Sequence, residues 1–214
     1  MKQLLKDGVV VSNGKKIKSS GAHVDPEKDE IYVDGEKIVY LKYVYYMLNK
    51  PDGYVSATED NLYPTVIDLI KEYHPGLFPV GRLDVDTEGL LLITNDGQLA
   101  HRLLSPRTHV PKTYYVKVKG RLGIGDINAF TKGIPLEDFT CMPAFLNIIK
   151  SGEISECEMT IYEGKFHQVK RMFQACGKEV VYLKRISMGE LKLDESLKLG
   201  HYRPLTDEEI NSIL

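Results

Sequence analysis

The sequence predicts an α+β protein with a large, mainly antiparallel mixed sheet and flanking helices. Runs rich in β-branched and aromatic residues and stretches of helical periodicity follow one another in irregular order, without the regular alternation of a parallel βαβ fold. The chain has 214 residues, 43% of them hydrophobic and 27% charged, which is typical of a globular protein. It contains neither an apolar run near the roughly 18 residues of a membrane span nor the apolar core of a signal peptide. We therefore expect a cytoplasmic protein that does not enter a membrane.

Residues 1–42 differ in pattern from the rest of the chain. Residues 9–11 and 31–33 are short β-prone runs, and residues 12–15 and 34–35 carry the Asn, Asp and Gly of tight turns. This pattern resembles the back half of an S4-type RNA-binding domain, whose leading helices have no counterpart before Gly8. The resemblance implies a partial S4-like segment over residues 1–42, followed by a second domain over residues 43–214.

The second domain opens with a predicted strand and a predicted helix. Residues 43–48 contain three tyrosines and a valine, which favours a strand, and residues 51–53 turn the chain. A helix is predicted between Pro64 and Pro75, because four apolar residues share one of its sides: Val66, Leu69, Ile70 and Tyr73.

The centre of the chain holds the strongest strand signal. Residues 90–93 are an unbroken apolar run between Gly89 and an Asn-Asp-Gly turn, which is the pattern of a strand buried on both faces. A helix over residues 97–104 follows, with Asp96 or Asn95 as its N-cap, and it ends before a proline.

Strict alternation then predicts a half-buried strand over residues 112–120. Tyr114, Val116 and Val118 share its inner face, while Lys117 and Lys119 share the outer face. The remaining predicted elements are a helix over residues 126–132, a strand over 156–162, a helix over 166–176, strands over 180–188 and 190–193, and a last helix opened by a capping box at residues 206–209.

Three carboxylates stand at every second position just before the central strand. They are Asp84, Asp86 and Glu88, with Arg82 two residues ahead of the first. Like charges this close repel one another, so the loop either lies open to water or is held by cations. The strand that follows and the flanking glycines favour a carboxylate that is fixed in one pose.

Residues 81–84, Gly-Arg-Leu-Asp, are followed by Thr-x-Gly-Leu-Leu-Leu and Thr-Asn-Asp-Gly. Together these motifs resemble the catalytic signature of the RNA pseudouridine synthases, in the branch that modifies ribosomal RNA. Four further blocks resemble that family in its own order, at residues 47–54, 112–114, 163–172 and 202–206. The last two blocks are most similar to the member that acts on small-subunit ribosomal RNA.

The resemblance implies a fold and an activity. The fold would be that of a pseudouridine synthase, an α+β sheet with a central RNA-binding cleft. The activity would be isomerisation of one uridine in 16S rRNA, either free or in a small-subunit assembly intermediate. The family's reaction needs no redox change or energy source, so we expect no cofactor and no metal, and we expect a monomer.

The resemblance also assigns roles to residues within the matching blocks. Asp84 stands at the position of the essential aspartate, which acts as a nucleophile or as a base. Lys170 matches the cation beside it, with Arg171 as the alternative, because a buried carboxylate without a cation tends to protonate. Tyr114 matches the tyrosine that stacks on the extruded base, and Leu183 matches an apolar wall residue. Both also fit a plain core position.

Basic residues are segregated along the chain, although the net charge is only -2. Residues 1–18, 97–125 and 164–178 together hold 15 of the 28 basic residues and one of the 30 acidic residues. Such stretches are typical of a face that binds phosphates, although separate solvated faces would give the same count. We expect RNA contacts from Arg82, Arg102, Arg107, Lys112, Lys165, His167, Arg171 and Leu183.

Two other functions fit parts of the pattern. Residues 84–87 superficially resemble the loop of a metal-dependent phosphohydrolase, with Asp84 as nucleophile and Mg²⁺ held by the carboxylates. A non-catalytic ribosome-binding protein would keep the basic stretches and make Asp84 dispensable. The sequence has no phosphate-binding loop or dinucleotide fingerprint, and its three cysteines are too widely spaced to indicate a zinc site or a disulfide framework.

Overall fold

The computed structural model describes residues 2–26 and 28–214, and the chain divides into two compact units, residues 1–42 and residues 43–214. The described residues of the first unit form a short helix, α1 (Lys2–Lys6), and the strands β1 (Val10–Ser12), β2 (Lys15–Lys16), β3 (Ile31–Val33) and β4 (Glu36–Ile38). The strands form an antiparallel sheet in the order β2-β1-β3-β4. Asn13 and Asp34 have positive φ in the two predicted turns. The S4-type identity of this unit stays a prediction.

The second unit, all of whose residues the structure describes, is organised around a sheet of nine strands. The strands are β5 (Tyr45–Lys50), β6 (Phe78–Pro79), β7 (Glu88–Thr94), β8 (Lys112–Lys119), β9 (Phe145–Lys150), β10 (Ile154–Ile161), β11 (Glu179–Met188), β12 (Leu191–Lys192) and β13 (Tyr202–Pro204). Their order is β13-β5-β7-β11-β8-β10-β9, with β6 beside β7 and β12 beside β11.

Within this unit β7 and β11 form the one parallel pair, and the other pairs are antiparallel. The predicted mainly antiparallel mixed sheet is therefore confirmed. The parallel contact brings Gly89 opposite Arg185. A Cβ on Gly89 would lie 2.2 Å from the carbonyl oxygen of Arg185, and the φ of Gly89 is +101°. Only glycine fits this position without displacing the neighbouring strand.

Helices cover both faces of the sheet. They are α2 (Gly97–Leu104), α3 (Ile124–Lys132), α4 (Gln168–Ala175) and α5 (Asp207–Ile213). Phe130 of α3 and Phe173 of α4 belong to one buried core, while Leu99 of α2 and Ile213 of α5 belong to the other. No helix in the described part of the chain is long and apolar enough to cross a membrane.

The central strand β7 lies between the two cores. Leu91 and Ile93 pack into the core of α3 and α4, and Leu90 and Leu92 pack into the core of α2 and α5. This alternation confirms the prediction of a strand covered on both faces. The cap of α2 is also as predicted, since the Asp96 carboxylate accepts hydrogen bonds from the N–H groups of residues 98 and 99.

The helix predicted between Pro64 and Pro75 is wrong in length. A single turn of 3₁₀ helix forms at Val66–Leu69, and Tyr73 is 88% exposed. Ile70 is extended, and the Lys71 N–H donates to the hydroxyl of Tyr202 at 2.9 Å instead of to a helical carbonyl. A contact from a distant strand thus ends the helix, and the local apolar pattern could not indicate it.

The predicted start of α4 is also wrong, by two residues. His167 has a φ of +48°, in the left-handed region, and the helix begins at Gln168. Phe166 therefore lies outside the helix and is 75% exposed instead of belonging to its apolar stripe. The buried stripe consists of Val169, Met172 and Phe173.

Candidate active site

Hydrogen bonds to its backbone hold the loop that carries Asp84. The Ser56 hydroxyl donates a hydrogen bond to the carbonyl of Leu83 at 3.0 Å and accepts one from the Leu83 N–H at 3.0 Å. On the other side of Asp84, the carbonyl of Val85 accepts a hydrogen bond from the Gly53 N–H at 3.0 Å. The Asp84 side chain therefore starts from a fixed backbone position.

Lys50, the last residue of β5, ties the same loop to the sheet. Its fully buried ammonium donates to the carbonyls of Pro51 at 3.0 Å, Val85 at 3.0 Å and Thr87 at 2.9 Å. Three carbonyls use all three N–H groups of an ammonium. Burial lowers the pKa of Lys50 to about 8, against the opposing effect of nearby carboxylates. No role was predicted for Lys50, although a lysine at the end of an apolar strand could have indicated a buried cation.

A group of charges surrounds the Asp84 carboxylate. Lys170 Nζ lies 3.1 Å from Oδ2 of Asp84 and 2.5 Å from Oδ1 of Asp86. Burial lowers the pKa of Lys170, but its hydrogen bonds to Asp86 and Asp84 outweigh burial and raise that pKa above its ordinary value. For Asp86, burial raises the pKa of the carboxyl. The hydrogen bond and the charge of Lys170 outweigh burial, so the pKa of Asp86 lies below its ordinary value. His167 Nε2 lies 3.6 Å from the other oxygen of Asp84.

A cleft of about 480 Å³ opens beside these charges. Its lining includes four residues that were predicted for the site, namely Asp84, Tyr114, Lys170 and Leu183. They come from the loop before β7, from β8, from α4 and from β11. The inner face of the sheet thus places an aromatic ring and an apolar side chain beside a carboxylate with its cation, which is a suitable lining for a flat, partly polar ring.

Arg185 is a cleft residue that was not predicted. It lies directly opposite Tyr114 in the β8–β11 ladder and is 2% exposed. Its Nε donates to the carbonyl of Leu90 at 2.8 Å, but its Nη2 has no hydrogen-bond partner among the described residues. A buried guanidinium nitrogen without a partner is costly, which is typical of a functional position. The sequence could have indicated this position, because Arg185 stands two residues after Leu183 and side chains two positions apart lie on the same face of a strand.

Two more side chains that were not predicted fix the start of α4. The buried amide of Gln168 donates to Oε1 of Glu163 at 2.7 Å and accepts from the N–H of Lys165 at 2.9 Å. The same Glu163 oxygen accepts from the N–H of Met142 at 2.8 Å. This network holds the turn that presents residues 165–170 to Asp84.

The residues predicted to bind RNA fall into two groups. Arg82, Lys112, Lys165 and His167 line the cleft, as does Leu183. Arg102 and Arg107 are exposed near the end of α2 and do not line it, and Arg171 forms an ion pair with Asp138 instead of reaching Asp84. The partner of Asp84 in the structure is therefore Lys170 and not the alternative Arg171.

The carboxylates of the loop do not converge as metal ligands would. Glu88 accepts a hydrogen bond from the Tyr182 hydroxyl at 2.5 Å, while Asp84 and Asp86 share the Lys170 ammonium. Among the described residues, no group of three or more His, Cys, Asp or Glu is arranged to hold a metal ion. A cation of the protein itself occupies the place where the phosphohydrolase alternative requires Mg²⁺.

A family model, curated proteins and a solved structure that are similar to this chain all belong to one family. Residues 44–175 match the family model described as RNA pseudouridylate synthase. An RNA pseudouridine synthase of Bacillus subtilis (strain 168) is 49% identical over 216 residues, covering 99% of this chain and 90% of that protein. The ribosomal small subunit pseudouridine synthase A of Escherichia coli (strain K12) is 42% identical over 210 residues, covering 96% of this chain and 89% of that protein. The crystal structure of a pseudouridylate synthase superposes with a TM-score of 0.74 at 40% identity, covering 100% of this chain and 92% of that one.

Proposed function

The chain belongs to the RNA pseudouridine synthase family, and from this membership we propose that it isomerises one uridine of small-subunit ribosomal RNA, with Asp84 as the catalytic carboxylate. As a member of this family the protein is an isomerase with a pseudouridine synthase fold. The choice of small-subunit RNA is supported by the similarity to the Escherichia coli protein, which is named for that subunit.

The reaction exchanges a bond from the ribose to nitrogen for a bond from the ribose to carbon. The N-glycosidic bond breaks, the uracil turns, and C5 of the base joins the sugar. C5 then loses its proton, and the nitrogen released from the sugar gains one, so no oxidant or reductant is consumed. Asp84 assists either by attacking the sugar as a nucleophile or by abstracting a proton as a base. Both roles require an ionised carboxylate.

The observation that carries the proposal is the contact between Asp84 and Lys170. The two side chains are about three-quarters covered and lie 3.1 Å apart at the edge of the cleft. A cation at this distance favours the ionised form of a carboxylate, which burial alone would disfavour. Lys170 therefore supplies the condition that either role of Asp84 requires.

The inner wall of the cleft suits a uracil ring. Tyr114 and Leu183 offer an aromatic and an aliphatic surface, against which an extruded base can pack. Arg185 and Lys112 line the same cleft, and both are cationic donors. We assign them to the carbonyl oxygens of the base, which take up negative charge when the glycosidic bond breaks.

Contacts to RNA outside the inner wall of the cleft are proposed from exposed, positively charged side chains. Arg82 and Lys165 are exposed at the cleft, and Arg102 and Arg107 are exposed on the nearby α2 region, where phosphates can reach them. In the first unit, five lysines are exposed and form no ion pair with any other described residue: Lys2, Lys6, Lys15, Lys16 and Lys18. We propose that this unit is a partial S4-like RNA-binding segment, and that the protein acts as a cytoplasmic monomer on 16S rRNA or on a small-subunit assembly intermediate.

Parallel incubations of the purified chain with 16S rRNA and with isolated small-subunit intermediates, one set with Mg²⁺ and one set with EDTA, test the proposal. Sequencing that detects pseudouridine should find one new site, and cells without the gene should lack pseudouridine at that site. Metal-dependent release of phosphate in place of isomerisation would support the phosphohydrolase. Binding without any change in the RNA would support the ribosome-binding alternative.

A further inference from the structure

A second cavity adjoins the cleft at Asp84. It measures about 470 Å³ and shares Arg82, Asp84, Lys165 and His167 with the cleft as a common wall. Phe166 lines this cavity and not the cleft. Both cavities lie in the size range of pockets that hold small organic ligands. A ligand in the second cavity would therefore lie next to a uridine bound in the cleft.

Phe166 gives the cavity a flat aromatic surface. Its ring stacks on that of His167, with the centroids 3.7 Å apart and the planes at 18°. His167 covers one face of the ring, yet Phe166 remains 75% exposed, so the other face is open. Single exposed apolar side chains are common on protein surfaces, so the position of Phe166 beside the cations of the cavity, and not its exposure alone, is the informative observation. An exposed ring beside basic residues is the usual stacking surface for an unpaired base.

The surface is held in place and is coupled to the site. His167 has a φ of +48°, a conformation that is uncommon outside glycine, and the Gln168 side chain fixes the N–H of Lys165 just before it. The Nε2 of the stacked His167 lies 3.6 Å from Asp84. A base that packs on Phe166 would therefore press on a ring that contacts the proposed catalytic carboxylate.

Two cations at the cavity remain available for a phosphate. Arg82 is exposed and makes no ion pair or hydrogen bond with any residue that the structure describes. The Lys165 ammonium lies 5.5 Å from the ring of Phe139, and it forms no ion pair within 4 Å with a described residue, although its charge acts on the carboxylate of Asp138. Arginine and lysine beside an aromatic surface are suited to bind the phosphate of a nucleotide whose base is stacked.

We propose that the second cavity binds the nucleotide adjacent to the target uridine in an unpaired state, with its base stacked on Phe166 and its phosphate held by Arg82 and Lys165. The inference rests on the proposed function, since it takes the cleft to hold the target. A neighbour that must be unstacked from its own strand would restrict the enzyme to uridines in loops or other single-stranded segments.

A double-mutant cycle between protein and RNA tests this. The probe is a hairpin RNA whose loop contains the uridine located by the mapping described above, together with versions that carry an abasic ribose one position before or after it. Phe166→Ala should weaken binding of the intact hairpin by roughly 5- to 150-fold, the range for loss of one stacked base. At one of the two positions, the abasic RNA should bind the wild type equally weakly, and Phe166→Ala should weaken its binding no further.

Three controls define the outcome. Phe166→Trp keeps a stacking ring and should bind the intact hairpin like the wild type. Phe145→Ala removes another exposed phenylalanine, 63% exposed and outside both cavities, and should change nothing. Equal melting temperatures would exclude unfolding.

The inference is overturned if Phe166→Ala binds normally, or if its effect and the abasic effect are independent at both positions. Failure of the proposed function is a different result, in which the wild type forms no pseudouridine in the intact hairpin.

Discussion

The ammonium of Lys170 is closer to Asp86, at 2.5 Å, than to Asp84, at 3.1 Å. The more exposed carboxylate thus holds the lysine from the solvent side, while the more buried one faces the cleft. The two carboxylates share one cation, but only Asp84 lines the cleft and can reach a substrate there. We therefore expect Asp84 to take part in the reaction and Asp86 to hold Lys170 in place. The first two predictions follow from this arrangement.

Asp84→Asn should abolish measurable isomerisation while RNA binding is largely kept. The substitution preserves size and removes the charge, so the loss expected is that of a general acid–base or nucleophilic group, roughly 10²–10⁴-fold in rate or more. Asp86→Asn is the matched control and should cost about tenfold at most, because it removes one exposed ion pair. Single-turnover rates and filter-binding affinities measure both effects. Near-normal turnover of Asp84→Asn would refute the assignment, and equal losses at both positions would favour the metal-loop alternative.

Lys170→Met should lower the rate more than the affinity for RNA. Loss of its charge-assisted hydrogen bond removes about 1.5–3 kcal/mol of support for the ionised carboxylate, equivalent to a roughly 10- to 150-fold slower reaction. Lys178→Met is a control of the same type, since Lys178 pairs with Asp126 at 3.7 Å and lines neither cavity. If affinity falls as much as turnover in Lys170→Met, then Lys170 is a phosphate contact.

The isomerisation rate should fall as the pH rises through about 8, where burial places the pKa of Lys50. Below that pH the side chain is an ammonium with three N–H groups for three carbonyls. Above it, the neutral amine keeps only two, so one contact to the Asp84 loop is lost. Rates at saturating RNA between pH 6.5 and 9.5 would show the decline, which should reverse on return to pH 7. A flat profile would mean that Lys50 stays charged throughout.

Arg185→Met should lower activity with little change in stability. The substitution leaves the carbonyl of Leu90 without its partner, but it also removes a buried cation whose Nη2 has no partner in the described structure. These effects are each about 1–3 kcal/mol and of opposite sign. Urea denaturation gives the free energy of unfolding, and single-turnover kinetics give the rate. A strongly destabilised variant with normal activity would assign Arg185 to the core instead of the cleft.

Gly89→Ala should prevent correct assembly of the sheet or destabilise it by more than about 4 kcal/mol, beyond the usual range for single substitutions. The new Cβ would collide with the backbone of Arg185, which cannot move as a flexible side chain can. Gly97→Ala is the matched control, because no atom lies within 4 Å of its Cβ position at the start of α2. Its stability should be unchanged or slightly higher. Circular dichroism during thermal unfolding measures both variants.

Local chemistry explains which elements the sequence predicts well. The unbroken apolar run of residues 90–93, the alternation around Val116 and the capping box at Thr206 each depend on neighbours in sequence, and all three features occur as predicted. The helix after Pro64 fails because the Tyr202 hydroxyl, far along the chain, takes the N–H of Lys71. Propensity and periodicity contain no information on such a contact.

The site divides in the same way. The motif blocks identify Asp84 and Lys170, and the fold brings them together. Lys50 and Arg185 were not predicted, because both act from buried positions. Charged residues are seldom buried, so their residue type indicates a position on the surface. Lys50 stands at the end of an apolar strand, and Arg185 stands two residues after Leu183, on the same face of its strand. These signals are weak in the sequence and become informative only once the faces of the sheet are known.

The position of β11 in the sheet has a consequence for biosynthesis. Within residues 43–214, β11 is the strand that joins β13, β5 and β7 to β8, β10 and β9. During synthesis from the N-terminus, the strand that follows Asp84 and the strand that carries Tyr114 therefore cannot be joined in one sheet before residues 179–188 are made. Pairing between strands so distant in sequence is slow, because loop closure precedes any gain from contacts. A nascent chain that ends before residue 188 already contains Asp84 and Tyr114, but it lacks the complete strand that brings them to one cleft.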